Sequence, residues 1–114
     1  MAQPGEFLDS NVLVYAFTTD ARAQKAEDLL ARGCTISVQG LNEFANVGRH
    51  KLRMDWPEMD AALASIKILC HAVRPLDLAA HESAMRLSQR FGFSIYDALI
   101  VAAALQADCS VLWS

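Results

Sequence analysis

The sequence predicts an α/β domain with a central parallel sheet and helices on both of its faces. Short apolar runs alternate with segments whose apolar residues recur at helical spacing, a pattern typical of such a sheet. The composition agrees, because 114 residues with 54% hydrophobic, 20% charged, 5 Gly and 3 Pro are typical of one globular domain. We therefore expect residues 1–114 to form a single domain with its own core.

The first third of the chain predicts two short strands with helical segments between them. Residues 7–8 predict a strand, and residues 12–15 continue the apolar pattern as a helical turn. Asp20 is expected to cap the next helix, and Gly33 to end it in a left-handed conformation. Residues 35–38 are short, apolar and largely β-branched, which predicts a second buried strand.

Two helices are predicted to follow the second strand. The inner side of the first helix holds small or apolar residues at helical spacing, namely Leu41, Phe44, Ala45, Gly48 and Leu52. The second helix begins near residues 55–57, where a proline stands close to the first helical position. Its inner positions are Met59, Leu63, Ile66 and either Leu69 or Cys70. Residues 73–76 then form a brief extended segment, which its proline places at an edge or end of the sheet.

The last third of the chain predicts two helices and a final strand over residues 111–113. Asp77 opens the first helix and Gly92 stops it. Its inner positions are Ala80, Ala84, Leu87 and Phe91. Ser94 opens the second helix, in which every residue from 98 to 105 is apolar. A helix without a polar face is expected to be buried nearly all round.

Composition and charge exclude several classes of protein. The apolar run of the last helix is far shorter than the roughly 20 residues of a membrane span, and the N-terminus has no secretory pattern, which predicts a cytoplasmic protein. The formal net charge of -3 does not suit a protein that holds nucleic acid by bulk charge. The cysteines Cys34, Cys70 and Cys109 are odd in number and widely spaced, which favours reduced, buried thiols over disulfides or a zinc site.

Three acids follow strands or lead helices, where an open parallel sheet forms its sites. Asp9 directly follows the first strand, Glu43 lies one turn into the helix after the second strand, and Asp97 leads the apolar helix. Each has a structural alternative: a helix cap for Asp9, a helix-dipole partner for Glu43, and a capping box with Ser94 for Asp97. If the three converge, their repulsion favours a hard divalent cation such as Mg²⁺ or Mn²⁺. Such a centre suits hydrolysis of a phosphodiester.

Other chemistries have no pattern in this sequence. The sequence contains no glycine-rich nucleotide loop and no Gly-x-Ser-x-Gly elbow. Its three histidines, His50, His71 and His81, lack the spacing of a zinc site. A phosphoaspartate hydrolase of the dehalogenase type also places an Asp after the first strand, but Asn11 stands where that chemistry expects a second Asp.

Three segments together resemble the PIN-domain family, specifically the VapC toxins of bacterial type II toxin-antitoxin pairs. They are FLDSNVLVY at 7–15, LNEF at 41–44 and SIYDALI at 94–100, in the family's order. The resemblance implies a three-layer α/β/α Rossmann-like fold, Mg²⁺- or Mn²⁺-dependent cleavage of RNA, a homodimer and inhibition by a cognate antitoxin. It also implies that Asp9, Glu43 and Asp97 are catalytic metal ligands. Asn11 is the stronger candidate for a residue that orients Asp9 without binding the metal itself, and Ser10 is the weaker one.

Two features leave alternatives open. Arg49, Lys51 and Arg53 fall in one run of five residues, which is either a solvated helix end or a contact for RNA phosphates or a partner protein. Family members also carry a further acid just past the last strand, where this sequence ends at Ser114. We therefore expect a PIN domain that lacks its C-terminal end. The alternative function is a catalytically weak domain that mainly binds an antitoxin or a second copy.

Overall fold

The computed structural model describes residues 5–114, where short strands alternate with helices as the sequence predicts. The strands are β1 (Glu6–Leu8), β2 (Thr35–Ser37), β3 (Ala72–Arg74) and β4 (Val111–Trp113). The helices are α1 (Ser10–Tyr15), α2 (Ala23–Ala31), α3 (Val38–His50), α4 (Trp56–Leu69), α5 (Leu78–Phe91) and α6 (Ile95–Gln106). None of these helices is long and apolar enough to cross a membrane.

The strands form a parallel sheet in the order β3-β2-β1-β4. β1 pairs with β2 on one side and with β4 on the other, so that Phe7 stands opposite both Thr35 and Leu112. The predicted edge position after the fourth helix is confirmed, because β3 is an outer strand. From β1 the chain adds β2 and β3 on one side of β1, and it then returns to add β4 on the other side. This reversal creates a crevice at the carboxyl end of β1, where open α/β sheets bind ligands.

Helices cover both faces of the sheet, which confirms the three-layer architecture. Leu8 faces a core built with α1 to α4, whereas its neighbour Phe7 faces α6 and packs on Ile100 and Ala104. Neither Phe7 nor Leu8 has exposed surface, because successive residues of a strand point to opposite faces. A third cluster of small residues joins α5 to α6 through Ala84 and Ala98.

Local chemistry sets most helix ends as predicted. Gly33 and Gly92 have positive φ angles of 80° and 74° and follow α2 and α5, a conformation that favours glycine. The predicted starts at Asp55, Asp77 and Ser94 are N-caps whose side chains accept backbone N–H groups. These caps satisfy donors that have no partner within their own helix.

The predicted cap at Asp20 is wrong. α2 begins at Ala23, and the carboxylate of Asp20 instead accepts the backbone N–H of Arg22 at 2.8 Å and pairs with its guanidinium. Arg22 also lies over the ring of Tyr15, with 3.9 Å from the guanidinium carbon to the ring centroid. These contacts stabilise a turn before the helix, and the Asp20 carboxylate bound in them does not cap α2.

Three predictions of burial need correction. Leu105 on α6 is 59% exposed and Phe91 on α5 is 57% exposed, because both point away from the interface between the two helices and the sheet. Among the three cysteines, only Cys34 is fully buried. Burial and the nearby Glu6 carboxylate raise the pKa of the Cys34 thiol to about 11, which keeps it protonated at neutral pH. Cys70 and Cys109 are only partly buried.

Replacing the N-cap of α3 tests how firmly that helix is held. Ser37 is buried, and its hydroxyl oxygen accepts the N–H of Gly40 at 2.9 Å. We expect Ser37→Ala to lower the free energy of unfolding by about 1–2 kcal/mol, since a buried N–H loses its partner. Urea denaturation measures the change. Ser65→Ala on the exposed side of α4 is the control and should change stability by less than about 0.5 kcal/mol. Equal effects of the two variants would contradict the prediction.

Candidate active site

Asp9 lies at the carboxyl end of β1, where the sheet order reverses. Its backbone N–H donates to the carbonyl oxygen of Trp113 at 2.9 Å, which extends the pairing of β1 with β4 by one residue. Its carboxylate accepts the N–H of Ser10 at 2.6 Å as the N-cap of α1. Asp9 therefore has the capping role that was its structural alternative, while its remaining lone pairs face the crevice region.

Glu43 lies on the second turn of α3 and meets Asp9 through Ser10. The Ser10 hydroxyl is 3.2 Å from Oδ1 of Asp9 and 3.4 Å from Oε2 of Glu43. One hydroxyl proton can be donated to only one of these acceptors at a time. The amide of Gln39, one helical turn before Glu43, donates to its other carboxylate oxygen at 3.4 Å. Ser10 is thus a buried bridge between two carboxylates.

Asp97 lines the same pocket as Asp9. Its backbone N–H donates to the Ser94 hydroxyl at 3.2 Å in the first turn of α6, as the capping interpretation predicts, and the residue is exposed. This pocket has a volume of about 320 Å³ and is also lined by Asn11. Its other lining residues are Phe93, Ile100, Val101, Leu112 and Ser114.

The pKa of Glu43 depends on its burial and on the charges around it. Burial raises the pKa of Glu43 above its ordinary value, and the negative charges of Asp9 and, more weakly, Asp97 raise it further. Hydrogen bonds from Gln39 and Ser10 act in the opposite direction. The negative charges of Asp9 and Asp97 therefore act on Glu43 in addition to its burial.

The chemistry of these donors suits a hard divalent cation. In residues 5–114, no group of three or more His, Cys, Asp or Glu side chains is placed to hold a metal ion together. Mg²⁺ does not require such a group, because it keeps several waters and binds through one or two carboxylates. Asp9 and Glu43 supply carboxylate oxygens that share the hydroxyl of Ser10, and Asp97 lines the same pocket as Asp9. The residues present therefore fit Mg²⁺ or Mn²⁺.

The two candidates for orienting Asp9 differ in what they contact. Asn11 is exposed and lines the pocket, whereas Ser10 makes the hydrogen bonds to both Asp9 and Glu43. The sequence ranked Asn11 above Ser10, and the geometry reverses that order. Gln39 was not predicted, although its spacing of four residues before Glu43 is the signal that could have found it.

The basic run lies at the far end of α3, outside the lining of the acid pocket. Arg49 donates to the carbonyl oxygen of Met54 at 2.7 Å, and its guanidinium carbon lies 4.1 Å from the ring centroid of Trp56. Lys51 caps the helix and is exposed, and Arg53 is exposed with a φ of 55°. These positions agree with the solvated helix end, because the negative C-terminal end of the helix dipole favours cations.

Comparison with known proteins identifies the family. The family model for the PIN domain matches residues 7–114. The chain belongs to the PIN domain family. No curated protein matches this PIN domain in sequence. Among solved structures, it is similar to VapC20 of Mycobacterium tuberculosis, described as a sarcin-ricin loop cleaving toxin, with a TM-score of 0.76 at 20% identity. The match covers 96% of this chain and 88% of that chain and confirms the predicted fold.

Replacing Glu43 should change how stability depends on pH. Since the folded state raises the Glu43 pKa, the protonated carboxyl favours folding at low pH, and this contribution is lost as pH rises through the raised pKa. In EDTA, we expect Glu43→Gln to unfold at a higher urea concentration than the wild type at pH 7, and the advantage to shrink towards pH 4. The expected difference at pH 7 is below about 1 kcal/mol, because solvent screens this partly exposed group.

The control for this measurement is Glu82→Gln, which removes the same charge from the exposed side of α5. Its stability difference from the wild type should stay flat between pH 4 and pH 7. A Glu43→Gln variant that loses stability as pH rises would show that the carboxylate is favourably paired, against the repulsion described above.

Proposed function

We propose that this PIN domain is a Mg²⁺- or Mn²⁺-dependent endoribonuclease and the toxin of a VapBC toxin-antitoxin pair. The observation that carries the proposal is the position of Asp9 and Asp97 in one pocket at the carboxyl edge of the sheet, with Glu43 linked to Asp9 through the Ser10 hydroxyl. The family match and the fold shared with a sarcin-ricin loop cleaving toxin support the same chemistry. In this proposal the three acids are the catalytic metal ligands.

Neighbouring residues fix the positions of the two negatively charged carboxylates of Asp9 and Glu43. The N–H of Ser10 and the pairing with β4 fix Asp9, while the hydroxyl of Ser10 separates its carboxylate from that of Glu43. A divalent ion bound between these acids would activate water and neutralise charge on the attacked phosphate. Without such neutralisation the carboxylates repel a phosphodiester, so EDTA is expected to suppress both RNA binding and cleavage.

The proposed partners are RNA, a cognate antitoxin protein and a second copy of the chain. A groove of about 420 Å³ between the end of α1 and α4 supports a protein partner, because it is open and lined largely by apolar residues, including Phe17, Met54 and Ala62. This groove also favours the alternative function, a catalytically weak PIN domain that serves as an antitoxin-binding or dimerisation module. A folded wild type that binds Mn²⁺ but leaves RNA intact would select that alternative.

Cleavage of a single-stranded RNA with Mn²⁺ tests Asp9 and Asp97 directly. Substitution even of a group behind a metal ligand costs about 10- to 100-fold, so Asp9→Asn and Asp97→Asn should each lose about 100-fold or more. Asp60→Asn on the exposed side of α4 removes an equal charge away from the pocket and should cleave like the wild type. Circular dichroism confirms folding of each variant. Full activity in a folded Asp97→Asn protein would overturn the assignment.

Thermal unfolding measures metal binding without relying on cleavage. A ligand present at about 100 times its Kd stabilises the folded state by about 2.7 kcal/mol, so Mn²⁺ should raise the Tm of the wild type, and EDTA should reverse the rise. We expect Asp9→Asn to lose most of this increase, while Asp60→Asn keeps it. An equal Mn²⁺ response in all three proteins would place the ion elsewhere.

A further inference from the structure

Two exposed aromatic rings and a cation extend from the acid pocket along the turn between α5 and α6. Phe93 lines the pocket beside Asp97 and is 41% exposed. Phe91 lies next to it, with ring centroids 5.9 Å apart and planes tilted by 37°. The guanidinium carbon of Arg90 lies 5.1 Å from the centroid of the Phe91 ring. We call Arg90, Phe91 and Phe93 the aromatic ridge.

The ridge is not explained by the core. In the described part of the chain, neither Phe91 nor Phe93 belongs to a buried cluster, although aromatic rings of this size usually provide much of a core. Gly92, with its positive φ, turns the chain between the two rings and leaves both on the surface. The rings therefore remain available to a ligand that reaches the pocket.

The chemistry of the ridge matches single-stranded RNA. Unpaired bases stack on exposed aromatic rings whatever their sequence, and an arginine beside the rings attracts the backbone phosphates. A ring at the wall of an acid pocket would hold a base while the neighbouring phosphate lies near Asp9 and Asp97. A stable protein interface needs about 800 Å² from each partner, far more than two rings and one cation offer.

We propose that Phe93 is a stacking platform for a nucleobase beside the scissile phosphate of single-stranded RNA, with Phe91 and Arg90 extending the contact along the strand. The inference rests on the proposed function, because it assigns the substrate's position relative to the same acids. It makes Phe93 a binding residue of that site, and it moves the expected RNA contact from the far end of α3 to the turn before α6.

The test combines removal of the ring with removal of the base. A fluorescent single-stranded RNA is titrated in the presence of Mn²⁺ with the full chain carrying Asp97→Asn, so that the strand stays intact, and each nucleotide is replaced in turn by an abasic one. One abasic position should weaken binding about 10- to 100-fold, and Phe93→Ala should weaken binding of the intact RNA by a similar factor. With Phe93→Ala, that abasic position should cause no further loss. Phe93→Trp should keep the affinity.

The matched control is Tyr96→Ala, which removes another exposed ring from α6 outside the pocket lining and should leave affinity unchanged. Three results would overturn the inference. They are losses of affinity from Phe93→Ala and from the abasic position that add together, a loss of affinity with Tyr96→Ala as large as that with Phe93→Ala, and an abasic scan in which no position weakens binding. A changed elution volume of Phe93→Ala in gel filtration would also overturn it, because it would assign the ring to a protein interface. Failure of the proposed function is seen separately, as an absence of cleavage in the wild type.

Discussion

The pairing of β1 on both of its sides is the constraint on which the candidate site depends. Phe7 and Leu8 have no exposed surface and anchor the two faces of the sheet, so a slip of one residue would exchange their faces and displace Asp9. The hydrogen bond from Asp9 to Trp113 continues this pairing past the strand. Because β1 is central, its carboxyl end lies within reach of both α3, which carries Glu43, and α6, which carries Asp97.

The cost of gathering three acids is distributed unevenly, and the fold explains where it falls. Asp9 caps α1 and Asp97 lies in the first turn of α6, so each is close to a helix N-terminus, where the dipole stabilises negative charge. Glu43 lies beyond the first turn of α3, where this effect has faded, and it is partly buried as well. The raised pKa of Glu43 follows from that position. The hydroxyl of Ser10 and the amide of Gln39 offset the repulsion only in part.

Features governed by neighbouring residues could be predicted from the sequence, whereas features governed by packing could not. Gly33 and Ser94 were predicted because a left-handed turn and an N-cap depend on local geometry alone. The cap at Asp20 is an exception, because a neighbour only two residues away, Arg22, competes for its carboxylate. The shared pocket of Asp9 and Asp97 agrees with the edge of the sheet that the sequence predicts, but the bridge made by Ser10 depends on how α1 packs against α3. For the same reason, the apolar pattern of α6 could not show that Leu105 faces solvent.

The distance of the α3 cations from the acid pocket limits how RNA would be held in the proposed function. α3 has 13 residues and is therefore about 20 Å long, with its basic end beyond the half that carries Glu43. Arg49 already binds the carbonyl oxygen of Met54 and packs on Trp56, and the whole chain carries a net charge of -3. Bulk charge attraction is consequently weak, and few phosphates can be neutralised. Affinity must then come from contacts at the crevice itself, where base stacking on Phe93 loses little to added salt because it neutralises no phosphate.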